Sequence, residues 1–144
     1  PGEPVKPLSK IASGGELSRI MLAIKNVLAS AEDVGTWIFD EIDAGVSGRA
    51  AQKIAQKLSN ISRAKQTLCV THLPQIAAMG DHHLLIQKNV LTDQTFTSVE
   101  PVEGLERSEE LARMISGTEV TETSLRNAEE LLEQAEEWKE HTAS

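Results

Sequence analysis

Short apolar runs alternate with amphipathic segments in the first part of this chain, and this alternation limits the folds open to it. Apolar residues recur at spacings of three and one between residues 17 and 28, and again between residues 51 and 58, as in helices with one apolar face. Residues 37–39 and 67–71 are short apolar runs that predict buried strands. Strands that alternate with helices are typically parallel and joined by right-handed crossovers. We therefore expect an α/β fold with a largely parallel sheet flanked by helices.

The remainder of the chain contains further segments of both types. In chain order we expect a short helix over residues 74–78, strands over residues 83–88 and 95–99, and helices over residues 105–115 and 121–138. A turn around Thr92 and Asp93 separates the two strands. We expect residues 1–144 to form a single partial domain, with an extended first segment over residues 1–12 and a flexible tail over residues 139–144.

The composition is that of a soluble globular protein. The uneven distribution of charge bears on whether the chain binds nucleic acids. Hydrophobic residues make up 40% and charged residues 25% of the chain, and no apolar run approaches the ~20 residues of a membrane span. The one cysteine, Cys69, excludes an internal disulfide and favours a cytoplasmic setting. Residues 100–144 contain 13 acidic and 4 basic residues, whereas residues 1–99 contain 9 acidic and 10 basic residues. We expect the acidic part to repel phosphate backbones.

A glycine pair stands at the predicted start of the first helix. Ser13 is placed to cap this helix, and Glu16 lies three residues later, as in a capping box. Gly14 and Gly15 allow a ligand to approach the backbone closely, and the free N–H groups of a helix N-terminus attract anions. The segment is therefore a candidate anion-binding site. The alternative is an ordinary capped helix start without a ligand.

Two carboxylates and a histidine follow the predicted strands, at the end where ligands gather in parallel sheets. Asp40 and Glu41 come directly after the first strand, and His72 directly follows the second. Asp40 is a candidate ligand for Mg²⁺, directly or through water, because that ion prefers oxygen ligands and retains several waters. Glu41 is a candidate base for an attacking water, and His72 a candidate donor to a phosphate or to that water. The alternatives are solvated acids at a strand end and a structural histidine.

Taken together, these motifs resemble, in type and order, the second lobe of an ABC-type ATPase head. Residues 13–16 resemble the signature motif, residues 38–41 the Walker B strand with its catalytic glutamate, residues 43–48 the D-loop and His72 the switch histidine. The D-loop-like residues are Asp43, Gly45, Ser47 and Gly48. The match is closer still to the SMC-like bacterial DNA-repair proteins of this superfamily, and it is carried by residues 8–19, 39–48, 69–75 and 110–117.

The resemblance implies an ATP-binding and ATP-hydrolysing head that uses Mg²⁺ and sandwiches ATP against a second head in a homodimer. Ser13 and the backbone of Gly15 would contact the γ-phosphate of the nucleotide bound to that second head. Asp40, Glu41 and His72 would serve the nucleotide of this chain's own head, and the D-loop-like residues would communicate between the two sites.

The same resemblance implies a role in DNA double-strand-break repair and recombination. DNA would be contacted through the intact protein rather than through this segment, without a membrane partner. The implied location is cytoplasmic and nucleoid-associated.

One motif of such heads does not occur in the sequence. No Gly-x-x-x-x-Gly-Lys-Ser/Thr is found in the 144 residues, so the phosphate-cradling Walker A loop would come from a missing N-terminal lobe. We therefore expect the chain alone to be inactive as an ATPase. We also expect an apolar sheet edge or face to be exposed or covered by self-association, because the strands of that lobe are missing.

Three other functions fit parts of the pattern. The head could act as an ATP-gated clamp or scaffold with little hydrolysis. The chain could also be the nucleotide-binding subunit of a transporter, which would need a membrane-coupling surface. The third is a metal site built from Cys69, His72, His82 and His83, whose positions do not follow a recognised ligand spacing.

Overall fold

The residues that the computed structural model describes are 12–28, 33–91, 94–117 and 119–142. They belong to two compact units, residues 1–71 and residues 72–144. Among the described residues, the strands of each small sheet pair only with one another. The expectation of one partial domain over residues 1–144 stays a prediction. Of the extended segment expected over residues 1–12, all but Ala12 lies outside the described residues.

The first unit is built on a parallel pair of strands. Helix α1 (Gly14–Leu28) precedes strand β1 (Thr36–Phe39), and helix α2 (Gly48–Ser62) connects β1 to strand β2 (Gln66–Cys69). The two strands pair in parallel, with Thr36 opposite Gln66. The predicted α/β character and the predicted helix, strand, helix, strand order are confirmed in this unit.

Burial in the first unit follows the predicted helix face better than it follows the predicted strands. Helix α2 buries its apolar face, which consists of Ala51, Ile54, Ala55, Leu58 and Ile61. In β1, Trp37 and Phe39 are buried but Ile38 between them is 72% exposed, and Leu68 in β2 is 41% exposed. The strands were expected to be buried, yet they alternate as in a sheet with one covered face.

Helix α1 exposes most of the apolar face that its spacing predicts. The exposed side chains on this helix are Leu17, Ile20, Met21, Ile24, Val27 and Leu28. Leu22 is the buried large side chain of α1, and Gly15 is buried near its start. The predicted helix is confirmed, but most of its apolar face is not buried by the described residues.

The second unit combines three helices with a hairpin. Its elements are α3 (Pro74–Met79), β3 (His83–Leu91), β4 (Gln94–Val102), α4 (Gly104–Ser116) and α5 (Glu122–Thr142). Its core contains Ala77, Ala78, Leu111, Ala112 and Ala128. The partly buried Leu125, Leu131 and Leu132 of α5 pack against this core.

The third and fourth strands do not extend the parallel sheet. Strands β3 and β4 pair antiparallel, with His83 opposite Val102 and Ile86 opposite Val99. Residues 92 and 93, which connect them, lie outside the described residues. So short a connection permits only an antiparallel pair, since a parallel pair needs a crossover of about a dozen residues or more.

An arginine on α4 fastens the end of α3, a contact that the sequence pattern did not predict. Nη2 of Arg107 donates to the carbonyl oxygens of Ala78 at 3.0 Å and Gly80 at 2.6 Å. The last carbonyl groups of a helix have no partner within the helix, so a cationic donor there satisfies them and complements the helix dipole.

The C-terminal segment is more ordered than expected. Helix α5 continues to Thr142, so residues 139–142 of the expected flexible tail are helical. Nζ of Lys139 lies 3.0 Å from a carboxylate oxygen of Asp81 and 2.9 Å from one of Glu136. Among the described residues, no helix is both long enough and apolar enough to cross a membrane.

We expect Leu111→Ala to lower the free energy of unfolding of the chain by about 2–5 kcal/mol, because it leaves a cavity in the second unit's core. Leu111 is fully buried, whereas Leu105 on the same helix is 64% exposed. The matched Leu105→Ala change should therefore shift the free energy of unfolding by less than about 0.5 kcal/mol. Urea denaturation measures both, and equal effects would contradict the packing described here.

Candidate functional site

The N-terminus of α1 is closed by the predicted capping box. The backbone N–H and the hydroxyl of Ser13 donate to Oε2 of Glu16 at 2.8 and 2.9 Å. The N–H of Glu16 donates in return to Oγ of Ser13 at 3.3 Å. These bonds stabilise the charged carboxylate and lower the pKa of Glu16, with the backbone bond from Ser13 as the largest cause. The capping prediction is thereby confirmed.

The second glycine of this turn allows a close approach to the loop after β1. A Cβ atom on Gly15 would lie 2.8 Å from Cβ of Ala44 and 3.0 Å from its carbonyl oxygen. Any larger residue at position 15 would push the two segments apart. The Gly-Gly pair therefore has a packing role that the sequence alone did not show.

Asp40 and Glu41 lie at the carboxyl end of β1, as predicted. Both side chains are exposed, and Oδ1 of Asp40 accepts the backbone N–H of Glu41 at 2.8 Å. Glu41 has a φ of 56°, in the left-handed region that residues other than glycine rarely adopt. Such conformations persist where neighbouring contacts hold them, and they cluster at functional sites.

The carboxylate of Glu41 lies over the first glycine of the α1 start. A Cβ atom on Gly14 would stand 2.5 Å from Oε2 of Glu41 and 3.8 Å from its Cδ. The absence of a side chain at position 14 thus leaves room for the carboxylate in this position. The geometry brings together two motifs that are 27 positions apart in sequence.

Two side chains of α1 join this helix to the loop after β1. Oγ of Ser18 donates to the carbonyl oxygen of Asp40 at 3.0 Å. Nη1 of Arg19 donates to the carbonyl oxygens of Ala44 at 2.8 Å and Ile42 at 3.4 Å. Neither residue is among the site residues predicted from the motifs. The available signal is that Arg19 lies four residues after Gly15, one helical turn away on the same face.

The D-loop-like segment is a tight, partly buried turn. The N–H groups of Ala44 and Val46 donate to the carbonyl oxygens of Glu41 and Asp43 at 3.1 and 3.2 Å. Gly45 and Gly48 have positive φ values of 72° and 52°, which accounts for glycine at both positions. Ser47 occupies the cap position of α2 with an extended backbone, but its side chain makes no capping hydrogen bond.

Asp43 connects this loop to the end of β2. Its side chain is only 3% exposed, and its Oδ2 accepts a hydrogen bond of 2.6 Å from Oγ1 of Thr71. Burial, and then the charges of Asp43 and Asp40, raise the pKa of the Cys69 thiol to about 12. A thiol with so high a pKa stays protonated near neutral pH and is a poor metal ligand.

The remaining predicted residue, His72, directly follows Thr71 and is exposed. It is the first residue of the second unit. In the first unit the fold thus brings together Gly14, Asp40 and Glu41, and the role of His72 rests on its sequence position.

A metal ion at this site would depend on more than protein ligands. Among the described residues, no group of three or more His, Cys, Asp or Glu side chains is arranged to hold a metal. A single exposed carboxylate such as Asp40 nevertheless fits Mg²⁺, which binds through one or two carboxylates and takes its remaining ligands from water and phosphate oxygens.

The chain is similar to DNA repair proteins of several bacteria. RecN of Bacillus subtilis (strain 168) is 55% identical over 138 residues, which are 96% of this chain and 24% of that protein. RecN of Treponema pallidum (strain Nichols) is 51% identical over 131 residues, which are 91% of this chain and 23% of that protein. The chain therefore spans about a quarter of the length of the curated relatives it matches. No protein-family model matches it.

A solved structure confirms the fold class. It comes from work on ATP-driven dimerization and DNA-stimulated activation of SMC ATPases, and it matches 82% of this chain and 70% of its own chain. The TM-score is 0.53 at 21% sequence identity, so this likeness bears on the fold alone. The chain therefore corresponds, over almost its whole length, to a segment of the RecN DNA repair proteins, and its fold is similar to that of the SMC ATPase structure.

Proposed function

We propose that this chain forms part of an ATP-hydrolysing head that acts in DNA double-strand-break repair and recombination through ATP-dependent dimerisation of two heads. The observation that supports this most directly is the placement of Asp40 and Glu41 at a strand end, against the start of α1. A residue that orients water and a helix N-terminus that binds phosphate are both recurring parts of sites for phosphoryl transfer to water.

Each carboxylate has a distinct role in this proposal. Mg²⁺ bound with ATP neutralises charge on the phosphate oxygens, and Asp40 would hold it directly or through a water. Glu41 orients the attacking water and accepts its proton. His72 donates a hydrogen bond to the γ-phosphate or positions the water.

The start of α1 serves the nucleotide of the second head. The hydroxyl of Ser13 and the backbone at Gly14 and Gly15 would meet its γ-phosphate, where the positive end of the helix dipole favours an anion. Because the hydroxyl of Ser13 donates to Glu16 in this structure, it must leave that carboxylate before it can donate to a phosphate. Until a phosphate arrives, the carboxylate of Glu16 thus holds the hydroxyl of Ser13.

The D-loop-like segment provides a connection between the two sites. Arg19 joins it to α1. Thr71, the residue directly before His72, is joined to it by a hydrogen bond to Asp43. In this proposal Asp43, Gly45, Ser47 and Gly48 transmit the state of one nucleotide to the other. The turn is suited to this because both of its ends are fastened by side chains.

The proposed partners are an N-terminal lobe with a Walker A loop and a second head. Exposed apolar side chains in the first unit support a covering partner, since Ile38, Leu68 and Val70 are 72%, 41% and 50% exposed. DNA would be bound by the intact protein rather than by the acidic part of this chain. The proposed location is the nucleoid in the cytoplasm.

We expect Glu41→Gln in the full-length protein to reduce ATP turnover by about 10²- to 10⁴-fold, the usual contribution of a general base. Dimers with bound ATP should accumulate, because the amide cannot take the proton from water. Steady-state hydrolysis and size-exclusion chromatography measure the two effects. Glu133→Gln, at an exposed position on α5, is the matched control and should change neither. Unchanged hydrolysis in Glu41→Gln would favour the ATP-gated clamp or scaffold.

The chain alone should show no ATP turnover above background, because no Walker A sequence occurs in it to cradle the phosphates. Phosphate release by the purified chain, compared with its Glu41→Gln form, measures this. Turnover that disappears in the Glu41→Gln form would contradict the expectation.

Thr71→Val should destabilise the chain by about 1–3 kcal/mol, because it removes the 2.6 Å hydrogen bond that the Thr71 hydroxyl donates to the buried carboxylate of Asp43. In the full-length protein it should also lower kcat more than it raises KM for ATP, since Thr71 positions the loop and does not bind nucleotide. Thr67→Val is the control, because the Thr67 hydroxyl makes a longer local bond of 3.2 Å to the carbonyl oxygen of Lys65. Equal losses of stability would rule out a special role for the Thr71 bond.

A further inference from the structure

The contact between Glu41 and the glycine turn joins two groups with separate roles in the proposed reaction. We propose that the start of α1 restrains the catalytic carboxylate of its own head until a phosphate from the second head's nucleotide displaces it. This inference rests on the function proposed above and adds a regulatory contact to it. The restraint is internal to the first unit, so it exists before two heads meet.

The absence of a side chain at Gly14 leaves room for the carboxylate of Glu41. Oε2 of Glu41 occupies the space in which a Cβ atom on Gly14 would lie, at a distance of 2.5 Å. The first N–H groups of a helix lack partners within the helix, and the helix dipole is positive there. A carboxylate over this turn is therefore electrostatically favoured without a direct hydrogen bond.

The backbone holds Glu41 in this place against its own preference. The φ of 56° is unfavourable for a residue with a side chain. Three hydrogen bonds maintain it: Glu41 N–H to Asp40 Oδ1 at 2.8 Å, Ala44 N–H to Glu41 carbonyl at 3.1 Å, and Ser18 hydroxyl to Asp40 carbonyl at 3.0 Å. The donor in the last bond belongs to α1 itself. The helix that receives the carboxylate thus also fixes the backbone that presents it.

A phosphate at this helix start and the Glu41 carboxylate compete for one place. Both are anions, and both are attracted to the same end of α1. Arrival of the second head's phosphate would release Glu41 toward the nucleotide of its own head. Hydrolysis would then begin only after two heads have closed on ATP.

Competition of this kind is reciprocal. If the phosphate weakens the contact of Glu41 with Gly14, that contact weakens binding of the phosphate by the same factor. Removing the contact should therefore tighten the dimer even where no hydrolysis takes place. This consequence separates the proposal from a simple loss of the catalytic base.

The test measures the dimer dissociation constant of the full-length protein by analytical ultracentrifugation, with Mg²⁺ and a saturating non-hydrolysable ATP analogue. Glu41→Gln keeps the side-chain length but removes the charge, and Glu41→Asp keeps the charge but shortens the reach to Gly14. Both variants should tighten the dimer by about five-fold or more, the usual lower range of coupling between sites. Asp33→Asn, an exposed acid before β1 at the opposite end of the strand, is the control and should leave the constant unchanged.

Each outcome of this measurement supports or rejects either the restraint or the proposed function. Tightening in both Glu41 variants supports the restraint. Equal dissociation constants for the wild-type protein and both variants would overturn it, and tightening in Glu41→Gln alone would also overturn it by showing that charge, rather than contact with Gly14, is responsible. A wild-type protein that does not dimerise with the analogue at all would reject the proposed function itself.

Discussion

Hydrogen bonds from α1 to the loop after β1 are the interactions on which the candidate site depends. Arg19 donates to the carbonyl oxygens of Ile42 and Ala44, and Ser18 donates to that of Asp40. Because several donors act from one helical turn, the glycine pair and the two carboxylates keep one arrangement. A head that uses both motifs needs this arrangement, since the geometry of a site must be held by residues around it.

The same region is not arranged for stability alone. Glu41 has a left-handed backbone, and the turn that follows it contains a buried carboxylate at Asp43. Burial of an acid is costly unless a donor satisfies it, and the hydroxyl of Thr71 does so at 2.6 Å. Unfavourable local conformations that are held by specific contacts are typical of functional sites. The exposed apolar side chains of α1 and the strand pair agree with a segment that functions within a larger protein.

The second unit has a more ordinary construction. Leu111 and the alanines around it form a small aliphatic core, which fits a chain with only 3% aromatic residues. Arg107 fastens the end of α3, the short helix that follows His72. Within the second unit, the short helix α3 is thereby fastened to α4.

The sequence by itself determined the type and order of the elements, the capping box and the strand-end position of Asp40 and Glu41. These features follow from spacings of a few residues, because helical and strand periodicity and capping are local. The tertiary structure decided that β3 and β4 form a separate antiparallel pair, that the α1 face is exposed, and that Glu41 lies against Gly14. The contacts of Arg19 and Thr71 span more than twenty residues of sequence. Contacts between such distant positions depend on how elements pack, and no local spacing specifies that packing.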